Sequence, residues 1–138
     1  MQGKLPSTLY VFSSDRSEVD SFQNLKNQGA VAAALSIAKI PFSLCEGMFE
    51  GKTEVSFCAY LPSNPGSIVF EEFEAEIVRL CKLYNQESYL QVSPEHTGRL
   101  VCLADDRIVP LGRASFLDVK PAAGNYTKFP SGSCLVVG

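Results

Sequence analysis

The sequence contains no tryptophan and one histidine, and it carries none of the short motifs that mark common enzyme classes. The phosphate-binding Gly-x-x-x-x-Gly-Lys-Ser/Thr loop, the dinucleotide-binding Gly-x-Gly-x-x-Gly turn and the zinc-binding His-Glu-x-x-His helix are all missing. His96 lies in a turn-rich segment, where we expect a solvent-exposed side chain. Since the ligand types are not clustered along the chain, we predict no metal site and no cofactor.

Excess positive charge and long apolar runs are also missing. Twelve Lys and Arg side chains against 15 Asp and Glu give a formal net charge of −3. This balance, with a pI near 5.1, argues against general binding to the phosphate backbone of DNA or RNA. No apolar run reaches the roughly 18 residues that a membrane-spanning helix needs. We expect a soluble protein that binds neither nucleic acid nor membrane.

The five cysteines are odd in number and widely spaced, and they form no Cys-x-x-Cys pair. No signal-peptide pattern follows Met1, so we expect a cytoplasmic protein without a disulfide framework. Each cysteine has an apolar neighbour, which predicts small buried hydrophobic side chains, with a redox or nucleophilic role as the alternative.

What the chain does contain is typical of one globular domain, residues 1–138, with 46% hydrophobic and 20% charged residues. Its first half predicts a strand at 7–13 and a helix at 18–39, with an interruption near Gly29. Two further strands, at 41–49 and 52–61, form a predicted hairpin.

The second half begins with a loop at 62–66 and a second helix. That helix has an apolar face formed by Phe70, Phe73, Ile77, Leu80, Cys81 and Tyr84. A strand at 87–92 and a hairpin of 100–104 with 107–111 follow. The tail is predicted as an irregular connection that ends in a short edge strand at 134–137.

This order of strand, helix, strand, strand, helix and strand matches a ferredoxin-like split βαβ sandwich, an α+β fold, here with a C-terminal hairpin extension. The helices would cover one face of the sheet. The other face would be open or would pair with a second subunit, so we expect a homo-oligomer.

Three polar clusters lie at the ends of predicted elements: residues 13–17, residues 46–57 and residues 84–88. Side chains at such positions can converge on a ligand. Each cluster also has an ordinary structural explanation, namely helix capping by Ser17, a plain hairpin, and termination of the second helix.

These clusters resemble a domain-of-unknown-function family of short phage and bacterial proteins. The shared segments are Ser13 to Ser17, Gly47 to Phe57 and Gln86 to Ser88, and the central one, Gly-x-Phe/Tyr-x-Gly-x-x-Glu-x-Ser-Phe, is the most specific. Small phage proteins of this kind are similar to viral sponges that sequester cyclic-nucleotide immune signals, including those of the anti-CBASS type. The resemblance implies a viral immune-evasion protein in the cytoplasm of the host cell.

A sponge binds its nucleotide tightly and does not convert it, so the interpretation leans away from an enzyme and names no catalytic residue. Cationic side chains would hold phosphates, aromatic rings would stack on bases, and polar side chains would read base edges. The predicted ligand-binding residues are Arg16, Ser17, Phe49, Lys52, Glu54, Ser56, Phe57, Tyr84, Gln86, Glu87 and Ser88.

Two alternatives stay open. A module that inhibits a host protein would be favoured if the three clusters lay far apart in the fold. A small nucleotide-processing enzyme would be favoured if Glu54 or Glu87 lay in a pocket and had a raised pKa, as a general base requires.

Overall fold

The computed structural model describes residues 8–16, 18–49, 51–60, 70–119, 121 and 124–138. These residues form eight strands and two helices. The strands are β1 (Leu9–Phe12), β2 (Phe42–Phe49), β3 (Lys52–Tyr60), β4 (Ser88–Val92), β5 (Thr97–Cys102), β6 (Ile108–Leu117), β7 (Tyr126–Lys128) and β8 (Cys134–Val137). Helix α1 (Ser21–Ile37) follows β1, and helix α2 (Phe70–Leu83) follows β3.

The strands form a closed antiparallel barrel in the order β1-β3-β2-β7-β8-β6-β5-β4, and β4 returns to pair with β1. Closure depends on the last two strands of the chain. β7 pairs with β2, and β8 pairs with both β7 and β6. Because every strand of a closed barrel has two partners, the sheet formed by the described residues has no edge that could template pairing with another chain.

The predicted ferredoxin-like sandwich is therefore wrong, although its first six elements follow in the predicted order. The predicted hairpin of β5 and β6 is present, with Val101 opposite Ile108. It does not extend an open sheet, because β5 to β8 continue around the barrel from β4 to β2. The segment 134–137, predicted as an edge strand, pairs on both sides. The predicted loop at 62–66 lies outside the described residues.

Strand β1 is buried on both faces and separates two apolar cores. Tyr10 faces the helices and shares a cluster with Leu35 of α1 and Ile77 of α2. Val11 points to the opposite side and packs with Leu135 of β8 in the barrel interior. Since successive side chains of a strand alternate in direction, the unbroken apolar run of β1 reflects burial on both sides.

Both helices lie close to their predicted positions. α1 begins after Asp20, whose carboxylate accepts a hydrogen bond from the Gln23 N–H at 2.8 Å, and it continues through Gly29 without the predicted interruption. α2 buries Phe73 and Ile77 on its predicted apolar face. A search of the described residues finds no helix with the length and apolar character needed to span a membrane.

The prediction for His96 is wrong, because the side chain is only 3% exposed. His96 adopts a left-handed backbone conformation, with φ of 65°, in the turn between β4 and β5. Its ring packs edge-on against Phe116, with 5.9 Å between the ring centroids. Closure of the barrel places β6 against this turn, which the sequence interpretation did not anticipate.

The prediction of buried cysteines is confirmed for four of the five. All five are free thiols, and Cys45, Cys58, Cys81 and Cys134 are buried while Cys102 is partly buried. Burial raises the pKa of the Cys45 thiol to about 11 and that of Cys81 to about 12. Thiols with pKa values this high are weak nucleophiles at neutral pH, as expected of residues that only pack.

A tight contact near the point of barrel closure can be tested by mutation. A Cβ added to Gly98 of β5 would lie 2.3 Å from Val137 Cγ1 of β8. Gly98→Ala should therefore lower the free energy of unfolding, measured by urea denaturation, by about 1–3 kcal/mol. Gly29→Ala is the matched control, because nothing lies within 4 Å of its added Cβ. In the interior of α1 this change should stabilise the protein by about 0.5–1 kcal/mol.

The second half of this test is Val137→Ala, which removes the clashing methyl group. The double variant should be less destabilised than the sum of the two single variants. If the two losses in free energy of unfolding are strictly additive, Gly98 and Val137 do not form the contact that limits the packing here.

Candidate functional site

The candidate site lies where the β1–β3 ladder ends. The last backbone pair of the ladder is Phe12 with Phe57. Beyond it, side chains replace the missing backbone partners of Val55. Ser13 Oγ donates to the Val55 carbonyl oxygen at 2.7 Å, and the Val55 N–H donates to Asp15 Oδ2 at 3.1 Å. Both polar groups of Val55 are thus satisfied by the segment that follows β1.

Asp15 also connects this segment to α1 and to the turn after α2. Its Oδ1 accepts a hydrogen bond from Gln28 Nε2 of α1 at 2.8 Å. Its backbone carbonyl accepts another from Gln86 Nε2 at 3.0 Å. Through Val55 and Gln86, a single residue joins the three polar clusters that the sequence singles out.

Arg16 provides a second connection between the first and third clusters. Its Nη1 donates to the Asn85 carbonyl oxygen, and its guanidinium pairs with the Glu18 carboxylate. The backbone N–H of Arg16 donates to Asn24 Oδ1 of α1 at 3.1 Å. The Arg16 side chain remains 34% exposed, so a cationic group is held at the surface of this cluster.

Glu54 is the titratable side chain whose environment is most informative. It lies opposite Gly47 in the β2–β3 ladder, on the same side of β3 as Ser56 and Cys58, towards the end of the barrel. Burial, and secondly the negative charge of Asp15, raise the pKa of its carboxyl above the usual range. A partly buried carboxylate beside another carboxylate is typical of functional sites.

Gly47 of β2 lies close to Ser56 of β3. A Cβ at Gly47 would lie 2.6 Å from Ser56 Oγ, so any side chain there would displace the Ser56 hydroxyl. The absence of a side chain at Gly47, the residue opposite Glu54, thus makes room for the Ser56 hydroxyl.

The remaining predicted residues have varied surroundings. Phe57 is 0% exposed and stacks on Phe12 with 5.5 Å between ring centroids, so its ring belongs to the helix-side core. Tyr84 is partly buried against the same core. Lys52 is exposed at the first position of β3. Ser17 lies outside the described residues, as does the side chain of Phe49, whose backbone pairs with that of Lys52.

The third cluster is arranged along the start of β4. Ser88 pairs with Cys102 of β5, and the carbonyl of the exposed Glu87 accepts a hydrogen bond from the Leu103 N–H at 2.9 Å. Gln86 is partly buried and points its amide towards Asp15. The structure thus joins Arg16, Asp15 and Gln86 in one hydrogen-bonded network. Glu54 directly precedes Val55, whose N–H belongs to this network.

Sequence reasoning missed Asp15, Asn24 and Gln28. Asp15 lies within the first predicted cluster but was not chosen as a ligand-binding residue. Asn24 and Gln28 are four residues apart on α1 and so share one helix face, towards the segment after β1. The spacing of these two polar residues was the signal in the sequence that could have identified them. In the described part of the chain, no three His, Cys, Asp or Glu side chains cluster as metal ligands do.

Comparison with known protein families identifies the relationship. The family model described as the S-Adenosylmethionine lyase family matches residues 10–137, which includes all three clusters and the C-terminal strands. The chain belongs to the S-adenosylmethionine lyase family. No curated protein matches this member of the family.

Membership of the S-adenosylmethionine lyase family changes the balance between the alternatives. The family name describes an enzyme, whereas the sequence interpretation leaned towards binding without conversion. The matched region also reaches the tail, which the resemblance to short phage and bacterial proteins did not cover. The relation to anti-CBASS sponges stays a prediction.

The raised pKa of Glu54 predicts a stability effect for this family member. A carboxyl whose pKa is higher in the folded than in the unfolded state contributes stability below its unfolded pKa, and loses it as the pH rises through the folded pKa. Glutamine stays uncharged at every pH, so the Glu54→Gln variant does not lose this stability as the pH rises. The variant should therefore melt at a higher temperature than the wild type at pH 7, and this gain should shrink at pH 4. A gain of equal size at both pH values would contradict the assignment.

Proposed function

We propose that this protein is a lyase that cleaves S-adenosylmethionine, with Glu54 as the carboxylate that acts on the cationic substrate. The proposal is supported by membership of the S-adenosylmethionine lyase family together with the partly buried, raised-pKa carboxyl of Glu54. The raised pKa of the Glu54 carboxyl also favours an enzyme over a protein-binding module.

The chemical groups of S-adenosylmethionine match the groups in the network. The substrate carries an adenine ring, a carboxylate, an ammonium group and a positively charged sulfonium. The exposed part of the Arg16 guanidinium suits the carboxylate, and Glu54 suits one of the two cationic groups. Tyr84 lies in the turn after α2, next to Asn85, which Arg16 contacts, and could contribute an aromatic surface for adenine.

The reaction needs little help from the protein beyond positioning and charge. When a carbon–sulfur bond of a sulfonium breaks, sulfur keeps the bonding electrons and leaves as a neutral thioether. A lyase achieves this without water or an oxidant. The new bond comes from the substrate's own carboxylate, or a proton leaves the neighbouring carbon and a double bond forms. Glu54 can hold the cationic substrate in the first route and accept the proton in the second.

The direct test is to incubate the purified protein with S-adenosylmethionine and to separate the products by chromatography. We expect an adenine-containing thioether to accumulate. S-adenosylhomocysteine is the matched control substrate. Its sulfur is already a neutral thioether and is a poor leaving group, so it should not be cleaved. Stable S-adenosylmethionine after prolonged incubation would overturn the proposal.

The role of Glu54 has its own prediction. Glu54→Gln keeps the size of the side chain and removes its charge, so kcat/KM should fall roughly 10-fold to 100-fold, the value of one lost charged contact. Glu71→Gln is the control, because Glu71 is exposed on α2. Equal rates for the wild type and Glu54→Gln would remove Glu54 from the reaction.

Sequestration of a nucleotide, as the sequence predicts, is the second candidate. It is supported by the convergence of the three clusters, which a site for a small ligand needs and a protein-binding surface does not. A thermal-shift screen with cyclic dinucleotides and trinucleotides would test it. Stabilisation followed by release of the intact nucleotide would favour the sponge. Binding to a host protein and homo-oligomer formation stay predictions.

A further inference from the structure

We propose that Asp15 is a positioning residue that holds the Glu54–Val55 peptide and thereby orients the Glu54 side chain. This inference rests on the proposed function of Glu54. It concerns a residue that does not itself contact the substrate.

The first argument is that the polar atoms of Asp15 already have protein partners. Its N–H donates to Ser13 Oγ at 3.0 Å, and its carbonyl accepts from Gln86 Nε2 at 3.0 Å. Its carboxylate oxygens accept from Gln28 Nε2 at 2.8 Å and from the Val55 N–H at 3.1 Å. A carboxylate committed in this way is suited to support a neighbour rather than to bind substrate.

The second argument is the place where Asp15 acts on β3. The Val55 N–H belongs to the peptide bond that directly follows Glu54. Asp15 accepts from this N–H, while Ser13 donates to the Val55 carbonyl on the next peptide. The two contacts fix the backbone on the C-terminal side of Glu54 where the β1 backbone no longer pairs with β3.

The third argument is electrostatic. Asp15 is the charged group that acts on Glu54 after burial, and the β2 residue opposite Glu54 is Gly47, which has no side chain. Charged side chains on the surrounding elements are Asp15 and Arg16 after β1, Glu46 on β2, Lys52 on β3 and Glu87 before β4. Glu46 accepts a hydrogen bond from the Tyr126 hydroxyl at 3.2 Å. The Arg16 guanidinium is engaged with Glu18 and the Asn85 carbonyl. Neutralising Asp15 should therefore favour the ionised form of Glu54.

The test compares Asp15→Asn with Asp20→Asn in the cleavage assay across a range of pH. Asp20 caps α1 in the same segment, and asparagine is an equally good cap, so this control loses the same charge without loosening β3. Asp15→Asn should lower kcat roughly 10-fold to 100-fold with a smaller change in KM. The limb of the pH profile that reports Glu54 should move to lower pH, whether Glu54 acts as a base or as an acid.

A second readout does not need turnover. Carboxyl NMR titration, with the Glu54 signal identified by its loss in Glu54→Gln, should show a lower Glu54 pKa in Asp15→Asn than in the wild type. If Asp15→Asn does not fold, Gln28→Ala serves instead. It frees one oxygen of Asp15 and keeps the charge, so it should lower kcat without moving the pH limb.

The outcomes separate the two proposals. An active wild type whose Glu54 pKa and pH limb are the same in Asp15→Asn would overturn the role of Asp15. A wild type that does not cleave S-adenosylmethionine would overturn the proposed function. In that case the NMR titration alone would decide whether Asp15 controls Glu54. Equal losses of kcat in Asp15→Asn and Asp20→Asn would indicate a general effect on the segment and would also contradict the inference.

Discussion

The hydrogen bonding of β8 to both β6 and β7 is the constraint on which the rest of this structure depends. It turns a sheet that could have stayed open into a barrel, with an interior filled by side chains such as Val11 and Leu135. Closure also decides what the helices do. They cover the side of the barrel that contains β1, so that strand is buried on both faces up to its end at Phe12.

The candidate site is built at that ending. Backbone pairing between β1 and β3 stops at Phe12, and Ser13 and Asp15 take over the hydrogen bonds of Val55. Because the side chain of Asp15 completes this ladder, a carboxylate lies near Glu54, the residue before Val55. Burial, and secondly this carboxylate, raise the pKa of the Glu54 carboxyl. Such an arrangement costs stability and is consistent with a role in chemistry.

The candidate site was only partly predictable. Ser13 to Ser17, Gly47 to Phe57 and Gln86 to Ser88 were recognisable as polar segments at element ends, and they do converge around Asp15. Their individual roles were not recognisable. Phe57 fits an aromatic platform as well as a core position, and only burial against Phe12 distinguishes the two. Whether Asp15 or Glu54 is committed to structure depends on contacts between segments some 40 residues apart along the chain.

The sequence by itself determined the helices and most strands of this protein, because local periodicity and turn residues decide these elements. It determined the buried cysteines for the same reason. Only the tertiary structure decided that the sheet closes and that His96 is buried. A four-residue apolar run such as β8, Cys134–Val137, fits an edge strand as well as a barrel strand, so it carries no signal for a second partner. That partner is chosen by long-range pairing, which local sequence does not encode.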